Sequence, residues 1–377
     1  MSTAGIIFAN LHDSYIPELT RQRSMGSIPF MCRYRLIDFA LSNMVNSKIF
    51  NIGVIAHYNY YSLMDHIGTG KDWDLARRTG GVQILPPNVT AYAYNHELTY
   101  NTRLEALKNN IYNIDRMEDD LVLMCECDSI VNIDLRDIIS RHTASGADMT
   151  IVTRRVPVTP QNAKRHIIFD SNRDGRITDI YINPTDITGN KDVSMNIIVI
   201  GRKLLGTLVH DAMTHTYTSF NRDIIGRNIS NKNIMLYRWD GYYADIFSFE
   251  DYFAVSMDIV SDPSHRDSLF SVKNRPIFTK VRNSPPTFYG DASEVRNSLI
   301  ADGCRIEGTV ENSILFRGVT VGRGAVVKNS ILFQGAQVMD SAQLNCVVSD
   351  KNAVVRSRDV LSGCEIEPYY IPKGKLV

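Results

Sequence analysis

The chain has 377 residues, of which 44% are hydrophobic and 22% are charged, enough for one large or two ordinary globular domains with a buried core. Lys plus Arg and Asp plus Glu number 41 each, so no basic excess draws the chain to nucleic acid or to a membrane surface. The apolar stretches are too short to cross a bilayer, no secretory signal is visible and the six cysteines are scattered, which excludes secreted, membrane-embedded and disulfide-stapled classes and predicts a cytoplasmic protein.

Up to about residue 260, short apolar runs alternate with longer amphipathic stretches. Five apolar runs predict buried strands, at residues 5–9, 51–56, 121–124, 149–153 and 196–200. Two amphipathic stretches predict helices, at residues 35–47 and 101–117. Strands that alternate with helices favour a mostly parallel α/β sheet, which we expect to form a domain over residues 1–262. Four prolines and no sustained periodicity predict a linker over residues 263–290.

Residues 291–377 are dominated by a repeat of six. Large aliphatic residues recur at this spacing, at Ile300 and Ile306, at Leu315, Val321 and Val327, and at Leu332, Val338 and Leu344. A slower repeat places Asn-Ser at residues 297, 312 and 329, and Asn-Cys at residue 345. One inward aliphatic residue per hexad predicts a parallel β-helix with about three hexads per coil. A β-sandwich with glycine turns is the alternative, but it does not explain two independent periods.

Two runs near the N-terminus are specific, residues 23–30 and residues 33–43, and the second contains Tyr-Arg-Leu-Ile-Asp-Phe-Ala-Leu-Ser-Asn. Together with segments at residues 51–54, 66–70, 81–87, 241–245 and 300–304, they resemble the ADP-glucose pyrophosphorylases (glucose-1-phosphate adenylyltransferases). The resemblance implies a Rossmann-like nucleotidyltransferase domain followed by a left-handed β-helix, assembled as a tetramer. It also implies a reaction between ATP and glucose 1-phosphate that depends on Mg²⁺.

The loop after the first strand departs from the pattern of that family. There, a glycine-rich loop lets the backbone approach the triphosphate and supplies a catalytic arginine. Here Asn10, Leu11 and Asp13 stand at the glycine positions, and Tyr15 stands at the arginine position. We expect these side chains to fill space that the phosphates need, and Asp13 adds a repelling charge.

Other positions that serve the family reaction have changed as well. Met25 replaces an expected lysine, Asn183 replaces the lysine that holds the sugar phosphate, and residues 101–104 read Asn-Thr-Arg-Leu instead of Gly-Thr-Ala-Asp. Nucleotidyl transfer depends on cations that neutralise the charge developing at the phosphate. The resemblance therefore implies a chain that retains the fold but has lost catalytic groups, with Tyr15, Met25 and Asn183 as vestigial positions.

Two carboxylates match the metal ligands of the family. Asp128 follows an apolar run, at the carboxyl end of a predicted strand, where α/β sheets place ligands. Asp245 corresponds to the second carboxylate. One interpretation is that the pair still binds Mg²⁺, which needs only one or two carboxylates. The other is that both residues cap turns in a site without function, in which case this chain requires no cofactor.

Four arginines cluster in the sequence without a nearby acid before Asp38, namely Arg21, Arg23, Arg33 and Arg35. In the family this region lies close to the site of anionic activators, and guanidinium groups suit phosphate. The cluster therefore predicts a site for a phosphorylated effector. The alternative is that Arg33 and Arg35 pair with carboxylates at a subunit contact.

These observations predict a non-catalytic or catalytically impaired regulatory subunit, closest to the GlgD-type chains of the family, acting in glycogen biosynthesis. Its expected partner is a catalytic homologue in a heterotetramer, or a second copy of itself. The main alternative is an active sugar-phosphate nucleotidyltransferase that uses Asp128 and Asp245, with Arg103 as a replacement cation. A hexapeptide acyltransferase is disfavoured because no histidine follows His265. Tyr92, Tyr94 and Tyr100 suggest a stacking platform, but without a basic groove we expect no nucleic acid.

Overall fold

The structure, a computed structural model, describes residues 1–87 and 100–377. Tyr92 and Tyr94 lie outside the described residues, so the stacking platform stays untested. Within the described ranges, no helix combines the length and the hydropathy that a membrane span requires.

The first 270 residues form an α/β domain. Its strands are β1 (Thr3–Phe8), β2 (Pro29–Phe30), β3 (Tyr34–Arg35), β4 (Asn51–Ile55), β5 (Gly81–Leu85), β6 (Leu121–Glu126), β7 (Ser129–Ile130), β8 (Met149–Val158), β9 (Ile167–Ser171), β10 (Ile177–Ile182), β11 (Gly189–Gly201), β12 (Ile234–Arg238) and β13 (Ala244–Asp245). Its helices are α1 (Pro17–Thr20), α2 (Leu36–Asn46), α3 (Tyr61–Ile67), α4 (Arg103–Asn109), α5 (Ile111–Arg116), α6 (Leu135–Ser145), α7 (Pro160–Ala163), α8 (Arg202–Thr214), α9 (Phe249–Ser261) and α10 (Pro263–Phe270).

Strands β5, β4, β1 and β6 are neighbours in a central sheet and all run parallel. The sheet continues from β6 through β11, which is antiparallel and pairs with β8 and β9. Two large clusters of buried apolar side chains cover its faces. The carboxyl ends of β1 and β6 therefore meet at one edge, where a ligand can lie between adjacent loops.

The predicted strands and helices of this domain are confirmed, with one interruption. The stretch predicted as one helix over residues 101–117 is divided into α4 and α5 at Asn110. The buried Asn110 side chain donates a hydrogen bond to the carbonyl of Ala106. Asparagine competes in this way with regular helical geometry.

The segment predicted as a linker contains regular structure at both ends. Asp262 accepts a hydrogen bond from the backbone of Ser264, and Pro263 occupies the first helical position, so α10 begins where the linker was expected. At the other end, residues 288–289 already form a strand of the β-helix. Within the predicted linker, residues 271–287 and residue 290 lack helix and strand.

The C-terminal domain is a parallel β-helix, as the hexads predict. Its strands are β14 (Phe288–Tyr289), β15 (Glu294–Arg296), β16 (Leu299–Ile300), β17 (Arg305–Ile306), β18 (Thr309–Glu311), β19 (Ile314–Leu315), β20 (Thr320–Val321), β21 (Val326–Lys328), β22 (Ile331–Leu332), β23 (Gln337–Val338), β24 (Gln343–Asn345), β25 (Val347–Ser349), β26 (Val354–Val355), β27 (Val360–Ser362) and β28 (Tyr369–Ile371). They stack into three parallel five-stranded sheets. The predicted inward residues align in register, for example Val321 beside Val338, and all of them are buried except Ile300, which is partly buried.

The slower repeat of 15 to 17 residues marks one corner of the coil. Asn297, Asn312 and Asn329 all have positive φ, between 41° and 46°, a conformation that asparagine tolerates better than most residues. Their amides form a ladder, in which Asn297 donates to Asn312 at 2.8 Å and Asn312 donates to Asn329 at 3.4 Å. The repeat therefore reflects a turn chemistry that each coil reuses.

The two domains meet at a junction in which one buried apolar cluster is shared and polar contacts are added. Arg23 of the α/β domain forms an ion pair with Asp350 of the β-helix, in which Nη2 of Arg23 lies 2.7 Å from Oδ1 and 2.8 Å from Oδ2 of Asp350. Tyr370 donates a hydrogen bond to the carbonyl of Glu18 at 2.6 Å. We call this region the domain junction, and it connects the β-helix to the segment that follows β1.

Candidate functional site

The candidate site lies where β1 and β6 end side by side. In the parallel register, Phe8 is opposite Glu126, so the loop after β1 and the residues after β6 share one edge of the sheet. His12 comes from the first and Asp128 from the second. This is the edge at which α/β proteins place ligands.

His12 and Asp128 are joined directly at this edge. The Nδ1 atom of His12 lies 2.7 Å from Oδ2 of Asp128 and 3.9 Å from Oε2 of Glu126. Burial alone would lower the pKa of His12, but the two carboxylates outweigh it and raise the pKa to about 9. The imidazole ring also stacks on Tyr15, with 5.0 Å between ring centroids. His12 is therefore fixed in place and positively charged at neutral pH.

A second cation, Arg103, is paired beside the first. Its guanidinium lies 2.5 Å from Oε1 of Glu126, and both side chains are buried. The same group lies 5.7 Å from the ring centroids of Phe8 and Phe220. Because Glu126 compensates the charge of Arg103, little of that charge is left to attract an anion.

A cavity of about 480 Å³ opens beside these groups and is lined by His12, Arg103 and Glu126, with Lys164 and Arg165 in its wall. Asparagine, serine and threonine side chains form much of the remaining lining. A cavity of this size can hold a small polar ligand.

The side chains at loop positions 10, 11 and 13 contact other parts of the α/β domain. Asn10 is buried and hydrogen-bonds the ring of His57, while Leu11 packs against the second apolar cluster. Asp13 is 8% exposed and accepts a hydrogen bond from the backbone N–H of Met25 at 2.7 Å. Burial raises the pKa of Asp13 to about 7.

Asp13→Asn is expected to stabilise the protein above pH 7 by roughly 2 to 4 kcal/mol. The folded chain holds a proton on Asp13 between its unfolded pKa of 3.8 and its folded pKa of about 7, so this group makes stability fall as pH rises through that window. Asparagine keeps an oxygen for the N–H of Met25 and carries no charge. Urea unfolding of both proteins at pH 4 and pH 8 measures the difference, which should vanish at pH 4. Asp186→Asn, at an exposed site, is the control, and a difference independent of pH contradicts the prediction.

The fold gives the four clustered arginines different partners. Arg23 is buried against Asp350, and Arg35 donates hydrogen bonds to the carbonyl and hydroxyl of Ser62. That Arg33 and Arg35 pair with carboxylates at a subunit contact stays a prediction. Arg21 and Arg33 are exposed.

Arg33 and Arg35 instead line a small basic pocket at the domain junction. Its other cationic residues come from distant parts of the chain, namely Lys280, Arg282, Arg317 and Lys351. Burial, together with Arg35 and Arg23, lowers the pKa of Lys351 to about 7. The junction pocket therefore has a concentration of positive charge that a bound anion would relieve.

Comparison with known proteins gives a family match for each of the two domains. The nucleotidyl transferase family matches residues 15–262, and a GlmU-like C-terminal hexapeptide family matches residues 285–365. The chain is 33% identical over 371 residues to the glycogen biosynthesis protein GlgD of Bacillus subtilis (strain 168), covering 98% of this chain and 95% of that protein. It is 34% identical over 328 residues to the glucose-1-phosphate adenylyltransferase of Geobacillus stearothermophilus, covering 86% and 82%. The enzyme of Thermotoga maritima is 33% identical over 332 residues, covering 87% and 76%.

The chain belongs to the glucose-1-phosphate adenylyltransferase family. Three positions that we identified as vestigial lie in different environments. Tyr15 is exposed and lines the cavity, Met25 is buried in the apolar core, and Asn183 is exposed at the cavity wall. None of the three side chains carries a formal charge at neutral pH.

The two family carboxylates are neighbours in the fold. Strand β13 pairs with β7, which places Asp245 opposite Ser129, next to Asp128. Burial raises the pKa of Asp245 to about 6, and the negative charge of Asp128 contributes in the same direction. The family typically uses Mg²⁺, an ion that prefers oxygen ligands and bound water. Here Oδ2 of Asp128 is hydrogen-bonded to the imidazole of His12, and Mg²⁺ binding by Asp128 and Asp245 stays a prediction.

Sequence reasoning missed His12 and half of the junction pocket. His12 and Asp128 are 116 residues apart, and they meet only because β1 and β6 are adjacent. Both residues follow central parallel strands, whose carboxyl ends meet at one edge of the sheet, and this topology could have indicated their contact. No sequence pattern indicated the pocket cations between residues 280 and 351, because only the packing of the two domains brings them close to Arg33.

Proposed function

We propose that this chain is a catalytically impaired regulatory partner of a glucose-1-phosphate adenylyltransferase in glycogen biosynthesis. Its homology to GlgD and to the adenylyltransferases supports the pathway. One observation carries the impaired activity: His12 and Arg103, the cations that contact Glu126 and Asp128, are both paired with these carboxylates. Such cations have little charge to spare for a transferring phosphate.

An alternative function is an active sugar-phosphate nucleotidyltransferase that uses Asp128 and Asp245. The open cavity, with Lys164 and Arg165 in its wall, favours it. Arg103, the replacement cation of that hypothesis, lines the cavity but would have to give up its ion pair with Glu126 to place its charge fully on a substrate. Breaking a buried ion pair costs about 3 to 5 kcal/mol, which is why we favour the regulatory role.

A regulatory chain acts by binding a partner whose equilibrium it shifts. The expected partner is a catalytic homologue in a heterotetramer, and the same surfaces would also permit self-association. A phosphorylated effector is expected in the junction pocket, where cations from both domains converge. An anion bound there would contact both domains at once, so its binding would be coupled to the conformation of the whole subunit.

Co-expression with a catalytic homologue tests this function. We expect the two chains to co-purify, and the complex to show higher turnover or a stronger response to sugar phosphates than the homologue alone. Asp128→Ala with Asp245→Ala, introduced in this chain only, should leave the rate of the complex unchanged. If these substitutions abolish activity while assembly persists, this chain is catalytic. If the homologue neither co-purifies nor changes its kinetics, the regulatory role is wrong.

The effector site is tested in the same complex by a matched pair of variants. Arg33→Ala removes an exposed guanidinium from the junction pocket and should weaken the effector response about tenfold, which is the loss of roughly 1.4 kcal/mol of charge-assisted binding. Arg21→Ala removes an exposed guanidinium that is not part of the described pocket lining and should leave the response unchanged. Equal responses of both variants would locate the effector elsewhere.

A further inference from the structure

Three potential metal ligands converge at the end of β1 and β6. They are Nδ1 of His12 and carboxylate oxygens of Glu126 and Asp128, and all three lie within 4.8 Å of one another. Glu126 and Asp128 are buried and His12 is half-buried. Two of these residues, His12 and Glu126, lie outside the carboxylate pair that the family resemblance indicates.

One atom of this group is buried without a partner. Oε1 of Glu126 receives Arg103, whereas Oε2 has no hydrogen-bond partner among the described residues. The Glu126 residue is only 6% exposed. A buried carboxylate oxygen without a hydrogen bond is unfavourable, and this one lies 3.9 Å from Nδ1 of His12.

The spacing suits an ion held between the three residues. A tetrahedral ion with bonds of about 2.0 to 2.2 Å requires donors separated by roughly 3.3 Å. The observed separations, 2.7 Å from His12 to Asp128 and 3.9 Å from His12 to Glu126, lie on either side of that value. Small side-chain rotations therefore suffice to form the site.

The groups behind the ligands orient them. Arg103 holds Oε1 of Glu126 at 2.5 Å, and the hydroxyl of Ser129 donates to Oδ1 of Asp128 at 3.5 Å. The remaining oxygen of each carboxylate is thereby directed to the ion, as supporting hydrogen bonds do in established metal sites. His12 and Glu126 also line the cavity, so a fourth ligand can enter from there.

We propose that His12, Glu126 and Asp128 form a binding site for a divalent transition-metal ion of the Zn²⁺ type. One imidazole nitrogen and two carboxylate oxygens suit Zn²⁺, whereas Mg²⁺ selects oxygen ligands alone. The ion would take the place of the Nδ1 proton of His12, which is released to solvent, and would connect the loop after β1 to the end of β6. The site does not depend on the regulatory role, since it uses no partner chain and no effector.

Zn²⁺ titration of the full chain by calorimetry, after treatment with a chelator and removal of any histidine tag, tests the site. We expect one Zn²⁺ per chain, and at least a roughly tenfold loss of affinity in His12→Ala and in Asp128→Asn. His210→Ala is the matched control, because His210 is an exposed histidine that also contacts an aspartate. A millimolar excess of Mg²⁺ should not displace the bound Zn²⁺.

Co²⁺ provides a second measurement, because its absorption spectrum distinguishes nitrogen and oxygen ligands from thiolates. We expect a spectrum without thiolate bands, which separates this site from binding at the exposed Cys364. Circular dichroism of each apo variant verifies that it is folded, and Asp128→Asn preserves the shape of the side chain should His12→Ala unfold. No stoichiometric Zn²⁺, equal affinities of His12→Ala and His210→Ala, or thiolate bands would each overturn the proposal.

Discussion

Arg23→Ala is expected to lower the free energy of unfolding by about 3 to 5 kcal/mol. The Arg23 and Asp350 side chains are only 4% and 5% exposed, so removing the guanidinium leaves a buried carboxylate without its main partner. Lys351 donates its backbone N–H to the same carboxylate and Tyr370 its hydroxyl, but these hydrogen bonds do not replace the charge of the guanidinium. The loss should therefore approach that of other broken buried ion pairs.

Urea unfolding of four proteins measures this effect, namely the wild type, Arg23→Ala, Asp350→Leu and the double variant. Because the double variant leaves no buried charge behind, it should lose less than the sum of the single variants. Arg136→Ala is the control, since it breaks an exposed pair with Asp134 and should change stability by at most about 1 kcal/mol. An Arg23→Ala protein within 1 kcal/mol of the wild type would show that the junction does not depend on this pair.

Purified alone, the chain is expected to synthesise ADP-glucose at least about a hundred- to a thousandfold more slowly than a catalytic relative. The loss of one group that stabilises the transition state commonly has an effect of that size, and here Tyr15, Met25 and Asn183 each lack the expected charge. Met25 is also 1% exposed, so its buried side chain leaves no space there for a cationic group from elsewhere.

The measurement is diphosphate release from ATP and glucose 1-phosphate, with the Geobacillus stearothermophilus enzyme in the same assay as the active reference. Thermal unfolding of both proteins under assay conditions controls for loss of structure. Turnover of this chain within tenfold of a typical rate of about 10 per second would contradict the prediction. Such a result would support the alternative that Asp128 and Asp245 operate with other cations.

The β-helix was predictable because its pattern of inward residues repeats within a few positions of the sequence. A hexad commits one aliphatic residue to the interior, so Leu315, Val321 and Val327 indicated a coil before any contact was known. The linker was predicted less well, because prolines were interpreted as breaks. Pro263 instead begins a helix, for which its fixed φ is suitable.

Residues of the candidate site were predictable only where they directly follow a strand that the sequence itself indicates. Asp128 was found because it follows a buried run, and the loop after β1 was found because it follows another. Their contact through His12 was not found, because it depends on which strands are neighbours. Arg23 and Arg33 were grouped because they are close in sequence, yet one contacts the β-helix as an ion pair and the other lines a pocket. Pairing of this kind is decided by tertiary contacts, about which local sequence carries no information.

The pair between Arg23 and Asp350 also has a consequence for the order of synthesis. The two residues are 327 positions apart, so at about 5 to 20 residues per second the ribosome makes Asp350 roughly 15 to 65 s after Arg23. The α/β domain has all of its strands long before that moment and must keep the Arg23 guanidinium hydrated while it waits. The nascent chain therefore passes through a stage in which the first domain is complete and its future junction faces solvent, which is the interval when chaperones or a partner subunit can reach that surface.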